Sequence, residues 1–331
     1  TYIFDSDRAG REICDALAEA VARGVDVKVI IDDIGARYSF PSIVGELRRV
    51  GVEVERFGRS RWPWHMRYAN LRNHRKILVI DSAQVFVGGM NIREGNVLAW
   101  RTKHPIRDLH FRFEGPIVGQ LDSVFCDDWE LLSGNRVHRP TPVAAPPRGT
   151  VRARCIADGP DTSVDRIRWA MLAALACSRH RVRIVTPYFV PDAGLITALC
   201  TAAMRGVQVE IVLPDANNLR LVKWASTALL WQVLERGCVV YMTQAPFDHT
   251  KLMLVDDRWC LLGSANWDTR SLRLNYESNV ECEDPALVHR LHELVDRKLA
   301  DAREVTLAEV DARSLLTRLR DGLARLLSPY L

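Results

Sequence analysis

ALAEAVARGVDVKVIID at residues 16–32 and ALCTAAMRGVQVEIVLP at residues 198–214 align without a gap and agree at seven of 17 positions, Arg23/Arg205, Gly24/Gly206 and Val25/Val207 among them. Each copy reads as an amphipathic helix, a Gly that stops it and a strand rich in β-branched residues. Two further units repeat in the same order. ELRRVGVEVERF (46–57) matches QVLERGCVVYM (232–242) as helix, Gly and strand, and RKILVIDSAQVFVGG (75–89) matches TKLMLVDDRWCLLGS (250–264) as two strands around a polar turn. The chain is therefore a duplicated α/β protein, with a mixed sheet flanked by helices expected in each half. HRPTPVAAPPRG, with four Pro in eight residues, reads as a stiff linker at 138–149. Half one then runs over 1–137, half two over 150–303 and a tail over 304–331. Half two begins with a strand (150–156) and a helix (163–178) before a strand at 186–191, whereas half one opens at TYIFDS. By repeat symmetry roughly 35 residues are expected to be missing before Thr1, as in a fragment.

The 331 residues are 48% hydrophobic and 26% charged, which excludes a disordered chain. No apolar stretch reaches the roughly 18 residues of a membrane span, and no signal peptide is visible. Of 45 basic residues only six are Lys: 28, 76, 103, 223, 251 and 298. Such scarcity asks why Arg would not serve at each place. The eight Cys form no C-x-x-C pair and read as core thiols in a reducing compartment.

Within the third repeat each half contains H-x-K-x4-D: His74, Lys76 and Asp81, then His249, Lys251 and Asp256. Chance supplies such a pattern on the order of 0.01 times per chain, so two copies in register are no accident. After six intervening residues each Asp is followed by a small-residue turn, GGMN with Asn91 and GSAN with Ser264 and Asn266. His and Lys at i and i+2 on a strand share one face. Should the halves meet face to face, two imidazoles, two ammoniums and two carboxamides converge on one pocket suited to a phosphate diester. One imidazole would attack phosphorus and the other protonate the leaving alkoxide. That division of labour requires environments that push two similar pKa values apart.

The duplicated motif resembles the phospholipase D superfamily, most closely its bacterial cardiolipin synthases. The likeness extends through YIFDSDRAGRE, RNHRKILVID, IRDLHFRFEGPIV (106–118), TPYFVPD, HTKLMLVDD, GSANWDTRSLRLNYESN (263–279) and SPYL. It implies a duplicated phospholipase D-like fold with the active site between the halves, a phosphohistidine intermediate, and no metal or other cofactor. Asn91, Asn266 and Ser264 become candidate phosphate ligands, and the motif Asp supports the fold or the second step. By position, Asp108 and Glu277 are expected to orient the histidines, each in its own half. The implied activity is transfer of a phosphatidyl group between two phosphatidylglycerols, with hydrolysis of phospholipid or nucleic acid as the rival and an inactive membrane-binding fragment as a third reading. The implied setting is the cytoplasmic face of a bacterial membrane rich in anionic phospholipid, with no obligate nucleic-acid partner.

Other features read more plainly. His65, His104, His110, His138 and His180 read as structural, and His289 and His292 as a solvated helix face lacking a third metal ligand. Asp32-Asp33 and Asp127-Asp128 read as turns. From Arg56 to Ile80 there are seven basic residues and no acidic one, interleaved with Trp62, Trp64, His65 and Tyr68. This suits anionic headgroups or a nucleic-acid backbone equally. In the tail, Leu315, Leu316, Leu319, Leu323, Leu326 and Leu327 share about a third of a helical circumference, with Arg313, Arg318, Arg320 and Arg325 outside it. The stripe suits an interfacial membrane helix or one that covers the protein body.

Overall fold

The computed structural model describes residues 1–58, 70–137, 146–160 and 164–328. The aromatic positions 62, 64, 65 and 68 and most of the Pro-rich segment lie outside them. Half one comprises α1 (Arg8–Ala22), β1 (Lys28–Asp32), α2 (Ile43–Arg49), β2 (Glu53–Phe57), β3 (Arg72–Asn73), β4 (Ile77–Ile80), β5 (Gln84–Gly88), β6 (Ile106–Arg107), β7 (His110–Glu114) and α3 (Ile117–Ser133). Half two opens with β8 (Arg152–Asp158), α4 (Arg166–Cys177), β9 (Arg181–Val185), β10 (Phe189–Val190), α5 (Ala193–Met204), β11 (Gln208–Pro214), α6 (Arg220–Thr227) and α7 (Leu230–Leu234). It continues through β12 (Val239–Thr243), β13 (Phe247–Asp248), β14 (Leu252–Val255), β15 (Trp259–Gly263), β16 (Trp267–Asp268), α8 (Thr269–Arg273), β17 (Asn275–Glu283) and α9 (Pro285–Leu299). β18 (Arg303–Val305), α10 (Leu307–Asp311) and α11 (Leu315–Leu326) end it.

The repeat units fold as their patterns dictate. Gly24 and Gly206 stop α1 and α5 at φ 84° and 90°, and Gly51 and Gly237 do the same after α2 and α7 at 88°. This left-handed geometry is costly for any residue with a Cβ. In half two the strands order as β18-β12-β11-β9-β14-β15-β17, with β8 on the edge of β17. β12, β11 and β9 run parallel, and the rest pair antiparallel. The sequence places a strand at 186–191; the central strand is instead RVRIV at 181–185, and only Phe189 and Val190 of TPYFVP pair, with β16. The proline at 187 removes a donor that a central strand needs.

Half one divides its described strands between two sheets. β1 pairs β2, and β4, β5 and β7 form a separate antiparallel sheet. Among the described residues no strand joins β1 to β4 as β9 joins β11 to β14. Among the described residues β4 pairs β5 alone, and Leu78 is 48% exposed, while Met253, its counterpart in the repeat, is 1% exposed.

Two apolar layers cover the half-two sheet. One holds Leu199, Ile211, Val240 and Met253 beneath α4, α5 and α7. The other joins Val85, Val87 and Leu121 of half one to Leu252, Leu254, Cys260 and Val280 of half two, so the halves share a core. Asp127 and Asp128 lie within helix α3 and not in a turn: Asp127 is exposed on that helix, and buried Asp128 accepts from Asn73 Nδ2 at 2.9 Å and from the Arg75 guanidinium. The expected tail boundary at 303/304 falls inside β18, which pairs β12, and Val305 of β18 and Val310 of α10 join the half-two core.

This difference in burial has a measurable consequence. Met253→Ala should cost about 2–5 kcal/mol of unfolding free energy, the range for truncating a fully buried side chain. Leu78→Ala should cost less than about 1 kcal/mol, since a surface truncation leaves no cavity. Chemical denaturation of both variants checks the ordering.

Candidate active site

The site grows out of two short parallel strand pairs that cross between the halves. β3 pairs β17 with Arg72 opposite Asn275 and Asn73 opposite Tyr276. The next position brings His74 opposite Glu277, and the His74 amide donates to the Tyr276 carbonyl at 2.9 Å. β6 pairs β13 with Ile106 opposite Phe247 and Arg107 opposite Asp248. The next position brings Asp108 opposite His249, whose amide donates to the Arg107 carbonyl at 2.7 Å.

The carboxylates therefore serve the other half's histidine, which corrects the expectation that each serves its own. His74 Nδ1 lies 3.0 Å from both Glu277 oxygens, and His249 Nδ1 lies 2.7 Å from Asp108 Oδ2. We assign the ring proton to Nδ1 in each case, because an ionised carboxylate can only accept. That leaves both Nε2 atoms without the proton. Glu277 is fully buried and also accepts from Ser264 Oγ at 2.5 Å, Ser271 Oγ at 2.6 Å and Asn275 Nδ2 at 3.1 Å. Asp108 accepts the Leu109 amide at 2.7 Å. A Cβ on Gly89 would meet the Asp108 oxygens at 2.3 and 2.6 Å, so the second Gly of GGMN makes room for that carboxylate.

Both motif lysines are buried behind the rings. Lys76 Nζ donates to the His74 carbonyl at 2.6 Å, and Lys251 Nζ donates to the His249 carbonyl and lies 2.9 Å from His249 Nδ1. Burial, opposed by Glu277, pushes Lys76 down to about 7; burial, opposed by Asp108, pushes Lys251 down to about 8. Burial and then Lys251 push His249 down to about 4, and burial lowers His74 against the pull of Glu277. Burial alone would raise both carboxylates. His74 and Lys76 hold Glu277 below its ordinary range, and Lys251 and His249 do so for Asp108. The resting pair is two neutral imidazoles braced by two anions over two cations of weakened basicity.

His74 and His249 line one cleft of about 390 Å³ together with Asn91, Asn266, Asp268, Arg72, Arg93 and Arg270. Asn266 Oδ1 is buried without a partner, and Asn91 Oδ1 accepts the Ile3 amide at 3.1 Å. Both side chains line the cleft, and each carries an amide nitrogen that can only donate. Ser264 is not a phosphate ligand, for its hydroxyl is spent on Glu277 and does not line the cleft. Asp81 and Asp256 do not join the histidines either. They sit at the far end of each hairpin strand, about 20 Å of extended chain from the motif His, in left-handed turns with φ 52° and 50°. Asp tolerates that conformation, and Asp256 also accepts the amides of Arg179, His180 and Arg181 that start β9.

Several site residues escaped sequence reasoning. The rings of Tyr2 and Tyr188 meet His74 and His249 edge-on at 5.2 and 6.2 Å, and burial pushes both phenols up. Buried Arg75 binds the Glu277 carbonyl at 3.1 Å, the Asp158 carbonyl at 3.0 Å and the Asp128 carboxylate, tying the halves beneath the site. Burial raises Asp268, which caps α8, to about 7. The signal available for the tyrosines was the aromatic shared by the TYIF and TPYF segments. His104, His110 and His180 do not line the cleft. His289 is exposed, but His292 is buried and donates from Nε2 to the Asp256 carbonyl at 2.8 Å, so it is a structural bridge and not a solvated residue. Among the described residues no three or more His, Cys, Asp or Glu side chains group as metal ligands.

A duplicated α/β frame that presents two carboxylate-braced imidazoles to one cationic cleft is the active-site architecture of the phospholipase D superfamily. Residues 1–126 and 171–299 match the family described as cardiolipin synthase, PLD-like domain. The major cardiolipin synthase ClsA of Bacillus subtilis (strain 168) is 33% identical over 335 residues, spanning 100% of this chain and 69% of that protein. Cardiolipin synthase A of Pseudomonas entomophila (strain L48) is 32% identical over 331 residues, again with 100% and 69% covered. The crystal structure of phosphatidylserine synthase from Haemophilus influenzae Rd KW20 superposes with a TM-score of 0.77 at 18% identity, covering 100% of this chain and 89% of that one. The chain belongs to the PLD-like cardiolipin synthase family, whose members are phosphatidyltransferases.

The crossed pairing predicts which histidine each carboxylate governs. Asp108→Asn should lower kcat by at least ~10²-fold, the scale of a disabled general acid or base. In nitrogen-resolved NMR it should move the titration of His249 and leave His74 in place, and Glu277→Gln should do the reverse. The opposite assignment would restore the own-half pairing.

Proposed function

We propose that this chain transfers a phosphatidyl group from one phosphatidylglycerol to the glycerol hydroxyl of a second, giving cardiolipin and glycerol. The observation that carries the reading is the pair of Nε2 atoms left available to one cleft by two Nδ1–carboxylate bonds. Family membership supplies the lipid.

In the first step one Nε2 attacks phosphorus, a P–N bond forms, and the P–O bond to the departing glycerol breaks. The other imidazole enters this step protonated and gives that proton to the glycerol alkoxide. In the second step the incoming hydroxyl returns a proton to that imidazole and attacks phosphorus, and the P–N bond breaks. Glu277 and Asp108 hold each ring by Nδ1 and stabilise positive charge as it develops there. A phosphodiester anion in the cleft strengthens the protonated forms of Lys76, Lys251 and the acid imidazole, and Asn91 and Asn266 supply amide donors.

Water competes for the same intermediate, so synthesis needs a cleft that positions an alcohol and limits water. Ile106, Leu219, Val222 and Phe247 give the cleft an apolar side suited to that task. Among the described residues no helix is long and apolar enough to cross a membrane. We place the catalytic body on the surface of an anionic bilayer at its cytoplasmic face, where phosphatidylglycerol is presented.

Labelled phosphatidylglycerol in vesicles, with chelator present, should yield cardiolipin in excess of phosphatidic acid. His74→Ala and His249→Ala should each reduce turnover at least ~10²-fold. A dominant phosphatidic acid product would make the chain a phospholipase.

The lysines set the alkaline side of the pH profile. The free enzyme loses the Lys76 charge above about pH 7 and the Lys251 charge above about pH 8. Since kcat/KM reports the free enzyme, it should fall through that range, while kcat, measured with the anion bound, should fall at higher pH. A kcat/KM profile flat to pH 10 would show that neither ammonium charge is needed. Lys76→Arg and Lys251→Arg should both lower activity, because a planar fork does not fit a buried site shaped for a compact ammonium.

A further inference from the structure

The terminal helix α11 is docked the wrong way round for a helix that only covers a protein body. Its buried positions are Asp321 and Ala324, at 1% and 3% exposure. Its five leucines and Leu327, which caps it, point outward, from 46% exposed at Leu327 to 79% at Leu316. Apolar residues of a packed helix normally face the core, and an exposed leucine stripe on this scale marks a contact surface.

Polar contacts fix this orientation. Asp321 accepts from Arg313 Nη1 at 2.6 Å and from Arg320 Nε and Nη2 at 2.9 and 2.7 Å. The Arg320 guanidinium lies over Trp224 of α6 at 4.4 Å. Ala324 packs with Val190, Val222, Ala225 and Leu229. At 100° per residue the leucines span about 120° centred opposite this docked side. Arg318 and Arg325 stand on one shoulder of the stripe and Arg320 on the other. The only acidic residue of α11 is Asp321, and it is buried, so every charge the helix shows to solvent is positive. An apolar stripe with cationic shoulders complements an anionic bilayer, leucines among the acyl chains and guanidiniums among the phosphates.

The helix also sits against the cleft. Val222 lines the cleft and packs on Ala324, and Tyr188 joins the same cluster while meeting the His249 ring edge-on. Leu219 and Leu221, at the start of α6, are themselves 46% and 45% exposed. A bilayer that takes up the stripe therefore meets the wall of the active site.

We infer that α11 is an in-plane anchor whose leucine stripe enters an anionic lipid surface and holds the cleft at headgroup level. The inference rests on reading the site as one for phospholipid, and its test separates the two. The chain and its L316E/L323E/L326E variant are floated with vesicles of phosphatidylglycerol and phosphatidylcholine, and with phosphatidylcholine alone. The variant should bind the mixed vesicles at least ~10-fold more weakly, and the unaltered chain should favour the mixed vesicles. Turnover on detergent-dispersed phosphatidylglycerol should be the same for both chains. In L323W, on the mixed vesicles, the indole should be quenched by lipids brominated in the acyl chain. Equal flotation of the two chains, or an unquenched indole, would overturn the anchor. So would a dimer of the unaltered chain that the triple variant dissolves without any change in vesicle binding, which would assign the stripe to a second copy. Vesicle binding that depends on the leucines, with no turnover on dispersed lipid, would sustain the anchor and overturn the catalytic reading instead.

Discussion

The register of two short strand pairs is the constraint on which the rest depends. Because β3 follows β17 and β6 follows β13 across the halves, the residue after each pair meets its counterpart from the other half. His74 meets Glu277 and His249 meets Asp108. A slip of one residue would turn every side chain in these strands to the opposite face and separate both pairs. Neither half holds a complete imidazole–carboxylate pair, so the site exists only when the halves are docked. The shared apolar layer of Val85, Val87, Leu252 and Leu254, with Arg75 beneath, makes that docking part of the fold.

Burying two ammoniums and two carboxylates is costly, and each is retained because it is paired. The carboxylates receive ring protons, hydroxyls and a backbone amide. The lysines donate to backbone carbonyls, with Lys76 also over the Tyr2 ring at 5.3 Å and Lys251 beside the His249 ring, and burial weakens the basicity of both. A site organised in this way binds an anion by raising proton affinities already poised near neutrality, and little rearrangement is needed at the moment of reaction.

The two pairs are related by duplication but are not equivalent. Gly89 leaves space beside Asp108 where Ser264 donates to Glu277, and Lys251 approaches the ring nitrogen that Lys76 leaves alone. Glu277 carries a fuller set of donors than Asp108 does. These differences give the histidines distinct environments, which a division into nucleophile and acid requires.

The duplication, its helix–Gly–strand units and the pair of H-x-K-x4-D motifs were legible in the sequence, because each is a local pattern imposed by backbone geometry or repeated in register. The positions of His74, Lys76, His249, Lys251, Asn91 and Asn266 were legible for the same reason. What the motif alone could not separate was role from frame. Asp81 and Asp256 share the motif because a tight hairpin needs a residue that tolerates the left-handed region. Ser264, where half one has Gly89, donates to Glu277. The crossing of the carboxylates, the buried tie from Arg75 to Asp128 and the outward-facing leucines of α11 were decided by tertiary structure alone. Each depends on which surfaces meet between segments far apart in the chain, and the apolar periodicity that predicts an amphipathic helix carries no record of which face the protein leaves to its surroundings.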